Sequence, residues 1–414
     1  MHLKNKLHNF LQILPHDVFT FLACVTVIVG MYLSRAMMSI GMIVLISSAI
    51  LNVKLQSNVK AFMQKPHLLM LTGYFLLFSL SYFWSDDVGY YKERMQIMFP
   101  FLILPFSFLS MNRWEMKWYD ILILLFILLN LSGIGWSLHE YYLQKEAYDA
   151  GYGFSKLIPT PFKNDHIRFS IAVVMSMCFC VDLFIKHSNR MIRGLLLLVI
   201  AIDIVYIHIL SAKTGIVAFY LVSFIAIIQF IFSTKFRKLG VAFLFILISL
   251  PFVMFLIFPS FKNKLGYIKY SITQMGNTEK ETNISDEGRL ISYQYAFEII
   301  RMHPLIGVGI GDVYGQMKQR YDRDFPHLQS ATLLPHNQFL MAGVAIGLLG
   351  MIYLLMMQIS IYRLVKKNDF LYLSFCIIMF FTMMIEPLYE TQYGTCIFLF
   401  FLLLLMKRSK YYLA

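Results

Sequence analysis

Charge is scarce in this 414-residue chain: Asp, Glu, Lys and Arg together make up 14% of it, against roughly 25% in ordinary soluble domains. With 58% hydrophobic residues and a mean hydropathy of +0.65, that scarcity excludes a soluble globule with a normal polar surface. Ten-residue segments of alternating hydrophobicity are missing, which argues against a transmembrane barrel. Cysteine is limited to Cys24, Cys178, Cys180, Cys376 and Cys396. All five fall in apolar runs without metal-ligand spacing, so they read as packing residues and leave no disulfide framework for an outer loop. No cluster has zinc spacing, no Ser-His-Asp hydrolase elbow is present, and no repeat or low-complexity segment stands out. The first apolar run begins near residue 18 and lacks a small-residue cleavage site, so it is expected to be a retained span.

What the chain has in quantity is long apolar runs near the ~20 residues that cross a bilayer. Twelve can be drawn, at about 18–34, 36–53, 67–84, 95–110, 118–137, 167–186, 192–210, 214–232, 239–258, 337–362, 370–386 and 394–406. Lipid cannot satisfy open backbone groups, so the spans are expected to be helical. The expected fold is an all-α integral membrane protein of about 12 transmembrane helices, one polytopic domain over 1–414, with a large, partly helical loop at 259–335 between spans 9 and 10.

The net charge of +13 would suit nucleic acid, but its distribution points elsewhere. Lys54/Lys60/Lys65, Arg113/Lys117, Lys186/Arg190/Arg193, Lys235/Arg237/Lys238, Arg363/Lys366/Lys367 and Lys407/Arg408/Lys410 fall in alternate turns, as basic cytoplasmic loops do. That alternation predicts both termini in the cytoplasm and 259–335 on the other side. The expected partners are the lipid bilayer and no nucleic acid.

Two outer loops break the rhythm of short turns. The first, about 138–166, includes Tyr141, Tyr142, Pro159, Pro161 and Lys163-Asn164-Asp165-His166. The second opens with Lys262, Lys264 and Lys269, passes a polar turn at 276–283, and reaches Ser285-Asp286-Glu287, suitable residues for starting a helix. Leu290, Tyr293, Phe297 and Ile300 follow at helical spacing, and Pro304 ends the run.

Ionisable groups at a membrane boundary are costly to place and are functional candidates by default. His336 follows Pro335, and Asn337 is a good N-cap, so the ring would sit at the positive end of a helix, a field that favours the neutral imidazole a general base needs. A histidine anchoring the helix at the interface fits the spacing equally well. The planar fork of Arg289 suits a phosphate or diphosphate; an ion pair with Glu287 or Glu298 is the plainer alternative. Lys213 sits in a tight outer turn, against the positive-inside trend, where snorkelling to headgroups is the competing role. His166 and Arg168 occupy a similar place at the start of another span. Glu386, at the end of its span, needs a partner, and a cation across a cavity would serve. Gly307-Val308-Gly309-Ile310-Gly311 follows a helix and a proline rather than a strand, which excludes a dinucleotide fingerprint. It is a turn, made either for packing or for presenting amides to an anion.

Taken together, these residues are similar to the O-antigen ligase and polymerase superfamily. The resemblance rests on Arg289, then His303-Pro304-Leu305-Ile306-Gly307-Val308-Gly309, then His336-Asn337-Gln338-Phe339-Leu340 opening a span, then Glu386 to Gly394 before the last. It covers about 70–406 and is best over 205–395. One departure is Lys213, where the family usually has an arginine; lysine keeps the charge and loses the fork.

The resemblance implies a bacterial inner-membrane glycosyltransferase of the inverting, metal-independent kind, with no cofactor. It would take a glycan from undecaprenyl diphosphate to an acceptor hydroxyl, such as a lipid A-core sugar, on the periplasmic face. His336 would be the base and Arg289 the catalytic cation, with Lys213, Arg168, His166, Asn337 and Glu386 binding diphosphate or glycan. A repeat-unit polymerase and a protein-glycosylating enzyme of the same superfamily remain open. A 12-span solute transporter is the rival from another class, although no matching of two halves is visible.

Overall fold

The computed structural model describes residues 16–152, 157–232, 237–274, 285–326, 332–366 and 369–409. The polar turn at 276–283, together with Lys235, Lys280, Lys367 and Lys410, lies outside the described residues, as do the side chains of Ser285, Asp286 and Glu287. Every regular element among the described residues is helical. In chain order these are α1 (His16–Leu33), α2 (Arg35–Ile50), α3 (Leu55–Met63), α4 (Pro66–Ser79, extended by a 3-10 turn Leu80–Trp84), α5 (Val88–Met98), α6 (Pro100–Ser110), α7 (Met116–Leu143), α8 (Lys145–Gly151), α9 (His166–Lys186), α10 (Arg190–Leu210), α11 (Lys213–Phe232), α12 (Arg237–Ile257), α13 (Pro259–Gln274), α14 (Ser285–Met302), α15 (Val313–Asp324), α16 (Gln338–Tyr362), α17 (Phe370–Ile385) and α18 (Gln392–Arg408).

Each of the twelve apolar runs falls on helix. Among the described residues, seven helices are long and apolar enough to cross a membrane: α1, α4 with its extension, α7, α9, α10, α12 and α16. The α2–α3 pair, bent by 104°, makes an eighth if it is one broken span. Of the others, α6 and α17 are short, at 11 and 16 residues. The 11 residues of α6 rise only ~16 Å, half of a ~30 Å hydrocarbon core.

Burial separates the centre from the rim. α18 is apolar all round and buried from Tyr393 to Arg408, as a helix at the middle of a bundle must be. Rings from neighbouring helices close on it: Phe126 lies 4.7 Å from Phe401 and Tyr389 5.0 Å from Phe398. α12 is the opposite case, with Phe245, Phe252 and Leu256 exposed, a surface suited to lipid. The five cysteines are all buried and free. One acidic side chain lies deep inside a helix: Asp203 of α10 is fully buried.

The long loop contains three helices, α13 to α15, where the sequence spacing predicted one. The buried stripe of α14 also differs from the expected one. Leu290 and Phe297 are exposed, while Ser292, Tyr295, Ala296, Ile299 and Ile300 are buried. The helix is turned so that small residues approach its neighbour: Ile300 packs on Gly343 of α16.

The glycine segment after α14 is a clasp for a broken helix. Gly347, at φ 67° and ψ −158°, interrupts α16 in a conformation essentially reserved for glycine. The carbonyls of Val344 and Ala345, orphaned by the break, accept instead from the amides of Val308 and Gly309 at 2.9 Å each, and Leu348 N–H donates to Pro304 at 2.8 Å. Gly307 and Gly309 supply the positive φ values, 66° and 87°, that the turn requires. The segment therefore serves packing. Irregular backbone at this depth is tolerable only when protein satisfies it in this way.

A second irregular turn sets the entry of α9. Phe162, Lys163 and Asn164 all have left-handed backbones (φ 63°, 58° and 64°), at a cost of roughly 1–2 kcal/mol per residue. Tertiary packing offsets it: Phe162 is buried and stacked on Tyr393 at 5.2 Å. Asp165 then caps the helix by accepting from Arg168 N–H at 3.1 Å.

Candidate active site

The ends of α9, α14, α16 and α17 converge on Glu386, the residue that follows α17. Its side chain is 3% exposed and uses both oxygens. Oε1 accepts from Arg289 Nη2 at 2.6 Å, and Oε2 meets His336 Nδ1 at 3.1 Å. Burial opposes the negative charge, but the His336 hydrogen bond and the guanidinium charges of Arg289 and Arg168 outweigh it and hold the carboxyl below its ordinary 4.5.

His336 is fixed by backbone as well as side chain. Its N–H donates to Ser292 Oγ at 3.4 Å, and its carbonyl accepts from the Tyr293 hydroxyl at 2.8 Å. Donation from Nδ1 to the carboxylate leaves the lone pair on Nε2, the nitrogen that can accept a proton. The Asn337 cap forms as its spacing predicted, accepting from Phe339 and Leu340 amides at 2.8 and 3.0 Å.

Four polar side chains from three helices hold the segment 384–390 that carries Glu386. Asn337 Nδ2 donates to Met384 O at 2.9 Å, and Arg168 Nη2 to Pro387 O at 3.3 Å. Gln338 Oε1 accepts from Tyr389 N–H at 2.7 Å, and Arg94 Nη1 donates to both Glu390 O and its carboxylate, at 3.1 and 3.4 Å. Asn337 is thus a positioning group in this geometry. Arg168 is buried and also stands 3.6 Å from Asp165.

The alternative partner considered for Arg289 is engaged elsewhere. Glu298 pairs with Arg323 at 3.0 Å and Arg320 at 3.5 Å. The side chain of Glu287 lies outside the described residues.

Further cations stand around this centre. Lys264 of α13 is buried, lying 4.9 Å from the centroid of Tyr267, and Lys213 meets the same ring at 6.0 Å. His166 is under the fields of Asp165, Lys264, Glu386 and Arg168 together. So Arg289, His336, Glu386, Arg168, His166 and Asn337 come together, while Lys213 sits a step away, over Tyr267. Arg168, Lys213, Lys264 and Arg289 thus stand beside Asp165 and Glu386 in this part of the structure.

Two members escape a reading of the sequence. Lys264 shows there only as one lysine of a basic loop start. Arg94 carries no local signal at all, because its partner Glu390 is 296 residues away. Among the described residues no group of three His, Cys, Asp or Glu could hold a metal ion. A cavity of about 850 Å³ lies at the other end of these helices, lined by Asp182, Lys186, Tyr372 and Arg408, and takes no part in the Glu386 cluster.

Residues 196–355 match the model of the family described as O-antigen ligase. That stretch contains Lys213, Lys264, Arg289 and His336; Arg168 and Glu386 lie on either side of it. No curated protein matches the chain.

Proposed function

Over residues 196–355 the chain is an O-antigen ligase family protein, and on that premise we propose that it transfers a glycan from undecaprenyl diphosphate to an acceptor hydroxyl on the periplasmic face. The observation that carries this reading is one buried carboxylate holding an arginine and a histidine on its two oxygens. The family supports a glycosyltransferase-type role in polysaccharide assembly; donor, acceptor and residue roles are our assignment.

In the proposed reaction the acceptor oxygen attacks the anomeric carbon and loses its proton to His336 Nε2 as general base. The bond from that carbon to the phosphate oxygen breaks, and the lipid diphosphate leaves with additional negative charge. Arg289, Arg168, Lys213 and Lys264 oppose that charge from fixed positions. Fixed cations on several elements suit a diphosphate diester, and a single displacement with one base gives inversion. Glu386 orients the imidazole and keeps Arg289 in place before the donor arrives.

Twelve crossings with both termini in the cytoplasm of a bacterial inner membrane, and 259–335 in the periplasm, complete the proposal. A ligase and a repeat-unit polymerase would share every step and differ only in the acceptor. The test is incubation of purified protein with a lipid-diphosphate glycan and each candidate acceptor, with product mass as the readout. New glycoconjugate with a lipid A-core sugar supports ligation, and lengthened donor supports polymerisation. The absence of any transfer, together with chain-dependent solute uptake, would overturn the enzyme reading in favour of transport.

A further inference from the structure

A cavity of about 490 Å³ lies beside the glycine clasp, apart from the Glu386 cluster. Its walls carry Trp84, Asp86, His303, Asp312 and Gln316, with the segment 304–308 between them. α5 runs from Asp87, beside the cavity, to Arg94, which grips the Glu390 segment, a rise of ~10 Å. α14 makes the same journey on the other side, from Arg289 to its end at the cavity, a rise of ~20 Å.

The walls are fixed in advance. Both oxygens of Asp312 accept backbone amides, from Asp87 and Asp86 at 2.9 Å each. Ile310 and Gly311 donate to Ser81 and Ser85 at 3.2 Å each, and the clasp ties the adjoining turn to α16. Gln316 Oε1 is held by Arg320 at 3.1 Å, which leaves its amide N–H₂ to serve as a donor. The indole of Trp84 lines the cavity, and its Nε1 is buried without a hydrogen-bond partner.

The chemistry selects the ligand. Two carboxylates in so small a space repel phosphate, so this is not a second diphosphate site. An indole, an imidazole, an amide and carboxylates over an apolar floor suit a molecule with hydroxyls at its edges and C–H groups on its faces. We infer that this cavity is a subsite for an uncharged part of an oligosaccharide, holding sugars beyond the one that reacts. The inference rests on the transfer reaction proposed above and deepens it, since a remote subsite supplies binding that selects glycan length.

The probe is the free oligosaccharide released from the native lipid-linked glycan, titrated into purified full-length protein and followed by saturation-transfer NMR. His303→Ala and Gln316→Ala, which leave the indole and the clasp in place, should each weaken binding about 3–10-fold, as the loss of one hydrogen bond does. In transfer assays the same variants should raise KM for full-length glycan with kcat little changed, and leave a single-sugar donor or acceptor unaffected. Unchanged oligosaccharide affinity in both variants, or equal losses for long and single-sugar substrates, would overturn the subsite. Wild-type protein that transfers nothing would instead remove the glycosyltransferase reading; binding of the free oligosaccharide needs no transfer and still decides the cavity.

Discussion

Glu386 Oε2 stands 3.1 Å from His336 Nδ1, and this contact decides which nitrogen of the ring is left to work. With Nδ1–H given to the carboxylate, Nε2 is the proton acceptor. His336→Ala should therefore abolish glycan transfer, by roughly 10²–10⁴-fold or more, while donor binding and protein level stay near wild type, because a base acts in the transition state. Rates in the purified variant, measured beside donor affinity, check this. Full activity would remove the base and leave only the anion site.

In the proposed reaction Arg289 would meet a charge that exists before, during and after the transfer. Arg289→Ala should weaken donor binding as well as turnover, by roughly 10–150-fold if a charged hydrogen bond worth about 1.5–3 kcal/mol is lost. Arg289→Lys should recover part of the loss, since charge returns without the fork. Lys213→Arg should be tolerated. Donor dissociation constants for the three variants separate these outcomes.

The depressed carboxyl of Glu386 has a consequence for acid stability. A carboxyl whose folded value lies below its ordinary 4.5 stabilises the protein fully at neutral pH, and that contribution is lost as pH falls through the folded value. Between pH 5 and 3 wild-type protein should therefore lose more thermal stability than Glu386→Gln, which starts lower and has no such proton to bind. Parallel slopes in detergent-solubilised melts would contradict the linkage.

Orientation can be read chemically because the native cysteines are all buried. Phe325→Cys and Lys280→Cys should react with an impermeant thiol reagent applied to intact cells whose periplasm is open to it. Labelling only after the inner membrane is breached would reverse the proposed topology.

Asp203 offers a discriminating control. A carboxylate buried inside a membrane helix is a functional suspect by default, and a transporter would be expected to need it. In the proposed glycosyltransferase it would touch none of the reacting groups, so Asp203→Asn should leave transfer within about twofold of wild type and change the rate by well under the 1.4 kcal/mol that marks a factor of ten. Loss of transfer with the protein still folded would require a role for α10 in the reaction.

His336 and Asn337 could be singled out from sequence because capping is local: an Asn before an apolar run announces a helix start, and the residue before it inherits the position. The need of Glu386 for a cation was readable from its place at the end of a span, and Arg289 meets it. Arg94 and Lys264 were not readable, since an arginine near one chain end and a lysine in a basic loop acquire meaning only when the helices pack. The rotation of α14 was hidden for a related reason. Leu290 and Phe297 face outward while Ser292 and Ala296 are buried, so apolar spacing in α14 does not distinguish inside from outside. Helix length alone does not fix the number of crossings either, because α6 and α17 are apolar but short.

The clasp between Pro304–Gly309 and the break at Gly347 means that the outer loop and α16 are a single module. Anyone exchanging the loop between related chains, to move one glycan preference onto another, must carry residues 344–348 along with it. A boundary drawn at residue 335 or 337, where a loop conventionally ends and a span begins, would separate two carbonyls from the amides that satisfy them. The hybrid would then insert with an unsealed helix, whichever sugars its loop could recognise.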